Sequence, residues 1–444
     1  MTPASRFGGW LPYIQLRARF GMCVAAGLGW AGLSTWLALP WIEDLGALIT
    51  LPLAIAVVTG LAIVPGYLTA YLIATLVLDR PRPIDIPEEP DRWPDVTLLI
   101  AAWNEQDSLA EMLAYALAQD YPGSLLIRVI DDGSTDATAA IAAAVAADDQ
   151  RVEAMTVEHG GKANALNHGL ADTVSSLVAT IDADTLLVPE ALSRLVARYL
   201  SAPDAVAAVA GAVMVRNSRS NWLSKIQEWD YFLGIASIKR SQGLWQTTLV
   251  AQGAFSVYQT DSVREAGGWP DMIGEDITLT WALLAEGRTV TFEATAVAFT
   301  AVPTQFRRFV RQRSRWARGM IEGLGAYGWP LLKKHNIASH GIAINCLFPW
   351  VDLCYTFAFL PGLVLAGFGN FAIVGPLTVA VLPLNILLSW LMYRLQRGVY
   401  EEMRLKVREN RWGFVGYLLL YQPIMSPIAV SGYAQKLLRR PRRW

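Results

Sequence analysis

Where charges are missing constrains this chain more than any other feature. Phe20 to Ile42 contains no charged residue, and neither does Leu45 to Leu78. A helix needs about 20 apolar residues to cross the hydrocarbon core, so each run can cross once. The second run is long and is expected to tilt, or to kink at Pro65-Gly66. The first exceeds the core of a signal peptide, and another apolar run follows it closely. Arg6, Arg17 and Arg19 precede the first run, Glu43 and Asp44 separate the two, and Arg80 and Arg82 follow. The positive-inside tendency then places the N-terminus and residue 80 onward in the cytoplasm.

At the other end, Ile342 to Tyr393 holds one charge, Asp352, and is long enough for two crossings. The basic stretch Arg394 to Arg411 is expected in the cytoplasm. Phe414 to Gln435 is again uncharged but leads into KLLRRPRRW, a tail that a full crossing would export. That last segment is therefore re-entrant or interfacial, or the count upstream is off by one. The expected organisation is a membrane segment over 1–80 with two helices and a cytoplasmic domain over 95–303. Amphipathic interfacial helices over 304–335 follow, then a membrane segment of about three transmembrane or re-entrant helices over 340–435 and a basic tail over 436–444.

Composition agrees: 53% of residues are hydrophobic and 17% charged, against about 25% charged in an ordinary soluble domain. A net charge of −1 argues against a general nucleic-acid binder. Cys23, Cys346 and Cys354 all lie in apolar stretches and read as small buried hydrophobes rather than a disulfide framework.

Between about Asp95 and Pro303 short apolar strands alternate with alanine-rich helices, the pattern of βαβ units and a mostly parallel sheet. Strands are expected at 96–104, within 125–138 (running into a turn and a helix), within 175–185 and at 205–217, with helices near 108–119 and 188–200. Polar residues gather just after the strands' carboxyl ends, where open α/β sheets bind ligands. No G-x-G-x-x-G follows the first strand, so the pattern is not dinucleotide-binding.

Four groups carry chemistry. DDGSTD (131–136) is a turn with a helix cap from Ser134 or Asp136, or a ligand-binding acid pair. GGKANALN (160–167) opens a helix with Lys162 in its first turn, a position that opposes the helix dipole unless an anion is present. In IDADT (181–185), Asp182 and Asp184 can face one hard cation, or lie in a solvated turn. In GEDITLTW (274–281), Glu275 and Asp276 are helix-capping acids or, beside a sugar-binding cleft, a general base. A fifth element, RQRSRWARG (311–319), packs four arginines and a tryptophan into nine residues. Gln312, Arg315 and Trp316 fall on one helical face, and the whole is a basic helix on anionic lipid or an anion site.

AAWNE, DDGSTD, GKANALN, DAD, GED and QRSRW, in this order and spacing, resemble membrane-embedded family 2 glycosyltransferases. The resemblance is greatest to processive poly-N-acetylglucosamine, chitin, hyaluronan and cellulose synthases. It covers residues 96 to 316 and extends to the flanking membrane segments; each motif is weak alone, six in order are specific. The resemblance implies an α/β GT-A catalytic domain with a mixed, mostly parallel sheet, inserted between N- and C-terminal transmembrane helices. It also implies a UDP-sugar donor with Mg²⁺ or Mn²⁺ on its diphosphate.

By that resemblance Ala101, Asn104, Glu105 and Asp132 line the nucleotide pocket, and Lys162 approaches the diphosphate or the base. Asp182 and Asp184 match the metal-binding pair, Asp184 as the direct ligand and Asp182 also on the donor side. Asp276 matches the general base, with Glu275 beside it. Gly253 and Ser256 fall at the acceptor-side loop. GED departs from the more common TED but keeps the acid. Arg315 would neutralise the departing diphosphate, Gln312 would add a hydrogen bond, and Trp316 would stack on the acceptor sugar. Arg307, Arg308, Arg311 and Arg318 are expected on anionic lipid.

The function implied is an inverting, metal-dependent, processive synthase that passes its β-linked polysaccharide across the inner (cytoplasmic) membrane. GKANALN and QRSRWARG look most like the poly-N-acetylglucosamine synthases, so UDP-GlcNAc is the expected donor and UDP-glucose the runner-up. The alternative is a non-processive glycosyltransferase that forms a glycolipid. A degenerate sensor or scaffold would lack a metal or base acid, and none is missing. The expected partners are the donor, the polysaccharide acceptor and the bilayer, with no nucleic acid. An export or regulatory subunit is compatible with the sequence, which does not specify one.

Overall fold

The computed structural model describes residues 14–79, 84, 86–374, 382–405 and 409–440. Eight strands form one sheet: β1 (Val96–Ala102), β2 (Leu125–Asp131), β3 (Val152–Thr156), β4 (Leu177–Ile181), β5 (Leu186–Leu187), β6 (Val206–Val215), β7 (Phe255–Gln259) and β8 (Thr289–Thr300). Their order is β3-β2-β1-β4-β7-β6-β8-β5. The β3-β2-β1-β4 pairs and the β6-β8 pair are parallel, whereas β7 runs antiparallel to both its neighbours and β5 runs antiparallel to β8.

This topology builds the site. Ala102 pairs with Asp131, so β1 and β2 end level and their following loops lie side by side. Antiparallel pairing of Ile181 with Phe255 brings the start of β7 to the carboxyl end of β4. Every residue of β6 is buried, as a strand covered on both faces requires.

Among the described residues, four helices are long and apolar enough to cross a membrane by length and composition: Leu16–Leu48, Leu51–Val77, Ile337–Gly367 and Arg411–Leu437. In the second, a π turn at Thr59–Ile63 precedes Pro65. Proline lacks an N–H and crowds the carbonyl four residues back, and the widened turn accommodates both. Of the two crossings expected within 342–393, the second falls partly on residues 375–381, outside those described. The helix that follows, Leu382–Glu402, is not among the four.

The amphipathic helix is Phe306–Gly323, and it packs against the last of these apolar helices, Arg411–Leu437. Gly432 makes this possible: a Cβ there would meet the Ser314 carbonyl and stand 3.0 Å from Ala317 Cβ. Gln435 donates to Ser314 Oγ at 2.9 Å, and Lys436 lies 3.5 Å from Glu322. The last helix is itself clamped to Ile337–Gly367 by Asp352, whose carboxylate accepts from Ser426 at 2.8 Å and Tyr433 at 2.7 Å. An acid in an apolar bundle persists when its oxygens are occupied in this way.

Two sequence expectations are corrected here. Arg318 does not face lipid: it is buried, and its Nε lies 3.2 Å from Glu322, because it sits on the docked side of the amphipathic helix. Cys346 is exposed rather than buried, while Cys23 and Cys354 are buried and free.

Replacing Gly432 by leucine is expected to cost about 1–3 kcal/mol through overpacking, seen as a lower melting temperature of the detergent-solubilised protein. Gly325→Ala, with open space around the added Cβ, should leave it unchanged.

Candidate active site

The loop after β1 and the loop after β2 are stitched together by side chains. Asn104 sits at φ 54°, a left-handed conformation that asparagine tolerates. Its N–H donates to Ser134 Oγ at 2.9 Å, and its Oδ1 accepts from the Thr135 N–H at 2.9 Å. Ser134 is therefore not a helix cap; the helix Thr138–Asp148 has Ala137 as its cap, and Asp136 accepts the Thr138 N–H at 2.9 Å from just outside it. Ala101 is half-buried at the end of β1, and Glu105 accepts from Ser108 Oγ at 2.7 Å.

Asp132 is buried and already occupied. Its two oxygens accept the Gly160 and Gly161 N–H groups, each at 2.9 Å, and His159 Nδ1 lies 2.9 Å away. It shapes the glycine turn that launches the helix Lys162–Ala171, with Gly161 at φ 88°. His159 in turn stacks on the exposed ring of Trp103 at 4.8 Å.

Lys162 is the hub. Its Nζ pairs with Asp182 Oδ1 and lies 3.8 Å from Glu275 Oε1. Burial works against its charge, but Asp182, Glu275 and Asp276 together hold its pKa above the ordinary lysine value. Gly253 leaves the lysine room, since a Cβ there would stand 2.7 Å from Nζ. Glu275 and Asp276 are the first two residues of the helix Glu275–Ala285, with Gly274 as the cap. Burial first, then Asp276, raises the Glu275 pKa, and Lys162 opposes the shift. Asp276 accepts the Gly253 N–H at 3.2 Å and the Ile277 N–H at 2.8 Å.

Asp184 is pinned by Thr300 at 3.2 Å and Thr185 at 3.3 Å, both on Oδ1. Burial pushes its pKa up to about 6, reinforced by Asp182 and Glu105. Glu105 is raised too, by burial and by Asp182 among others. Among the described residues no three His, Cys, Asp or Glu side chains converge as a ready-made metal cage. Asp182 and Asp184, hard-oxygen carboxylates close enough for Asp182 to raise the Asp184 pKa, fit a divalent cation that completes its shell from a ligand.

The acceptor-side residues divide. Ser256 is fully buried on β7 and donates to the Gln252 carbonyl at 2.8 Å, so it supports the loop from behind and does not face a ligand. On the amphipathic helix Arg315 is exposed, Trp316 is 37% exposed, and Gln312 has its Oε1 buried without a hydrogen-bond partner.

Sequence reasoning missed two neighbours. Tyr231 lies 6.4 Å from Trp316 and is close enough to Asp182 and Asp184 to feel both; burial first, then these and Asp230, push its pKa up to about 12. Lys239, buried, donates to the Val250 carbonyl at 3.0 Å and to Gln252, and burial pulls its pKa down to about 7 against Asp276. Both come from the helical stretch 222–244 between β6 and β7, which carries no motif; Lys239, followed directly by Arg240 in SIKRSQ, has no local signal that sets it apart from an ordinary surface lysine.

A family model described as glycosyltransferase like family 2 matches residues 94–319, half of the chain. The chain is similar to the poly-beta-1,6-N-acetyl-D-glucosamine synthase of Staphylococcus aureus strain MSSA476, 34% identical over 235 residues, 53% of this chain and 56% of that one. It is also similar to the enzyme of the same name from Staphylococcus epidermidis strain ATCC 35984, 30% identical over 265 residues, 59% of this chain and 64% of that one. The chain thus spans little more than half the length of the curated relatives it matches. Among solved structures it is similar to the mannosyltransferase PcManGT from Pyrobaculum calidifontis in complex with GDP-Man and Mn²⁺. The TM-score is 0.55 at 18% identity, over 96% of this chain and 100% of that one, a likeness of fold. The expected GT-A fold, a mixed and mostly parallel sheet between apolar helices at either end, is the one found.

Without a divalent ion, an Asp184 pKa of about 6 against an ordinary 3.8 means that the folded chain keeps a proton the unfolded chain has lost. This contribution to stability is full below the lower value and is lost as pH rises through the higher. In EDTA, Asp184→Asn should therefore melt above the parent at pH 7.5, with the gain shrinking toward pH 4. Thermal unfolding across that range is the check.

Proposed function

The chain belongs to the glycosyltransferase-like family 2, and on that premise we propose that it transfers N-acetylglucosamine from UDP-GlcNAc to a growing β-linked polysaccharide. The transfer is inverting and processive, and the product leaves through the inner membrane. The observation that carries this reading is the meeting of Lys162, Asp182, Glu275 and Asp276 where β4, β7 and two helix N-termini converge. The names of the staphylococcal relatives support the sugar.

In this mechanism the UDP lies over the carboxyl ends of β1, β2 and β4, beside Ala101, Asn104 and Glu105. Asp184, with Asp182, would hold Mg²⁺ or Mn²⁺, which when bound offsets negative charge on the donor diphosphate. Lys162, paired with Asp182 at the head of its helix, would offer its charge to the diphosphate. Arg315 approaches the same phosphates from the amphipathic helix. Asp276 takes the proton of an acceptor hydroxyl as that oxygen attacks the anomeric carbon. A single displacement inverts the centre, so an α-linked donor gives a β-linked product. Trp316 offers the acceptor an apolar face, and the four apolar helices make export by the same chain the natural partner of synthesis.

Asp276→Asn should lower sugar transfer by at least ~10²-fold, the usual contribution of a general base, while UDP binding is retained. Solubilised protein with Mn²⁺ or Mg²⁺ and either UDP-GlcNAc or UDP-glucose, assayed for UDP release and product size, tests this. A long saccharide from UDP-GlcNAc is expected; a single sugar on lipid, or no transfer from any UDP-sugar, overturns the proposal.

A further inference from the structure

One arginine of the RQRSRWARG stretch has no part in the chemistry above and does not face solvent. Arg313 is 2% exposed, in a helix where Arg307, Arg308, Arg311 and Arg315 are all exposed. Its guanidinium lies 4.1 Å from the centroid of the Trp316 ring, with Phe309 at 5.4 Å and Tyr231 at 5.6 Å. Phe309, Arg313 and Trp316 are spaced i−4, i and i+3, so they share one helical face by construction. Arg313 Nη2 lies 2.9 Å from Asp230 Oδ2, itself buried.

The ion pair holds the Arg313 charge at close range, but among the described residues neither Asp230 Oδ2 nor Arg313 Nη2 and Nε makes an aligned hydrogen bond. A buried pair of this kind is weak evidence for stability by itself, so its geometric consequence carries more weight. What the contact does achieve is a fixed indole. A planar guanidinium can lie flat against a ring face, which an ammonium cannot. Asp230 opens the π turn Asp230–Ile235, where four consecutive residues, Asp230 to Leu233, are buried. The widened turn lets Asp230 reach Arg313 while Tyr231 meets the Trp316 ring, and Tyr231 also senses the Asp182 and Asp184 charges. Arg313, held between Asp230 and the Trp316 ring, therefore ties the orientation of Trp316 to this π turn.

We propose that Arg313, braced by Asp230, is a positioning residue that fixes the Trp316 indole as the platform for the acceptor saccharide, with one ring face covered and the other presented. The inference rests on the sugar transfer proposed above. Arg313→Lys keeps the charge and loses the flat stack; Asp230→Asn keeps the shape and loses the brace. With UDP-GlcNAc as donor and soluble β-linked N-acetylglucosamine oligomers as acceptor, each variant should raise the acceptor KM about tenfold, the scale a desolvated cation–π contact supports. The donor KM should stay within about twofold of the parent, since no contact to the donor is lost. In a Trp316→Ala background, Arg313→Lys should add nothing further, because neighbours that act through one another are not additive.

Multiplying effects in the double variant, or a donor KM that rises in step with the acceptor KM, would overturn the inference. Size-exclusion elution separates misfolding from mispositioning, and Asp230→Asn decides the matter if Arg313→Lys does not fold. A parent that transfers no sugar would instead defeat the proposed function, which keeps the two failures apart.

Discussion

Gly274 and Gly319 touch backbone to backbone, and the rest of the site depends on that contact. A Cβ on Gly319 would stand 2.6 Å from the Ile273 carbonyl oxygen, and one on Gly274 would stand 3.0 Å from Gly319 Cα. Glu322, one turn further along, accepts the Ile273 N–H at 3.1 Å and also meets Arg318 and Lys436. The turn that carries Glu275 and Asp276 is thus bolted to the helix that carries Gln312, Arg315 and Trp316. That helix is bolted in turn to the last membrane helix through Gly432. The turn with Glu275 and Asp276, the basic helix and the bilayer-sized helix form one packed unit, so a displacement of that long apolar helix is felt at Asp276 without any flexible link between.

Charge in the crevice is balanced through Lys162. Asp182, Asp184, Glu105, Glu275 and Asp276 come from three separate segments, and among the described residues Lys162 reaches Asp182 and Glu275 by direct approach. The acids around it respond: Asp184, Glu105 and Glu275 are all raised, first by burial and then by neighbouring carboxylates, and Lys162 opposes the shift at Glu275. A crevice in this state favours cations and the anions they bring with them. The same arrangement explains why the lysine opens a helix, where its own charge is otherwise disfavoured.

The arginine-rich helix divides its charges by face. Arg307, Arg308, Arg311 and Arg315 are exposed, whereas Arg313 and Arg318 are buried against Asp230 and Glu322. Positive charge alone therefore does not describe its task; two of its arginines are internal struts. Spacing alone could not tell the two kinds apart, because the residues that bury Arg313 and Arg318 lie far away in sequence.

Much was legible in the chain by itself. Charge-free runs must be covered by lipid or protein, so Leu16–Leu48 and Leu51–Val77 lie close to where the runs placed them. Strand-terminal acids and glycine turns depend on local backbone rules, so Asp132, Lys162, Asp182 and Asp276 could be singled out from short motifs. Tertiary structure decided the rest. Antiparallel insertion of β7 between β4 and β6 brings Gly253 beside Lys162, and no local pattern encodes that choice of neighbours. It buried Ser256, which its motif had suggested for the acceptor, and it engaged Asp132 with backbone amides. It also recruited Tyr231, Asp230 and Lys239 from a helical segment without a motif. Local sequence sets which conformations and charges are affordable; only packing between distant segments sets which of those charges meet.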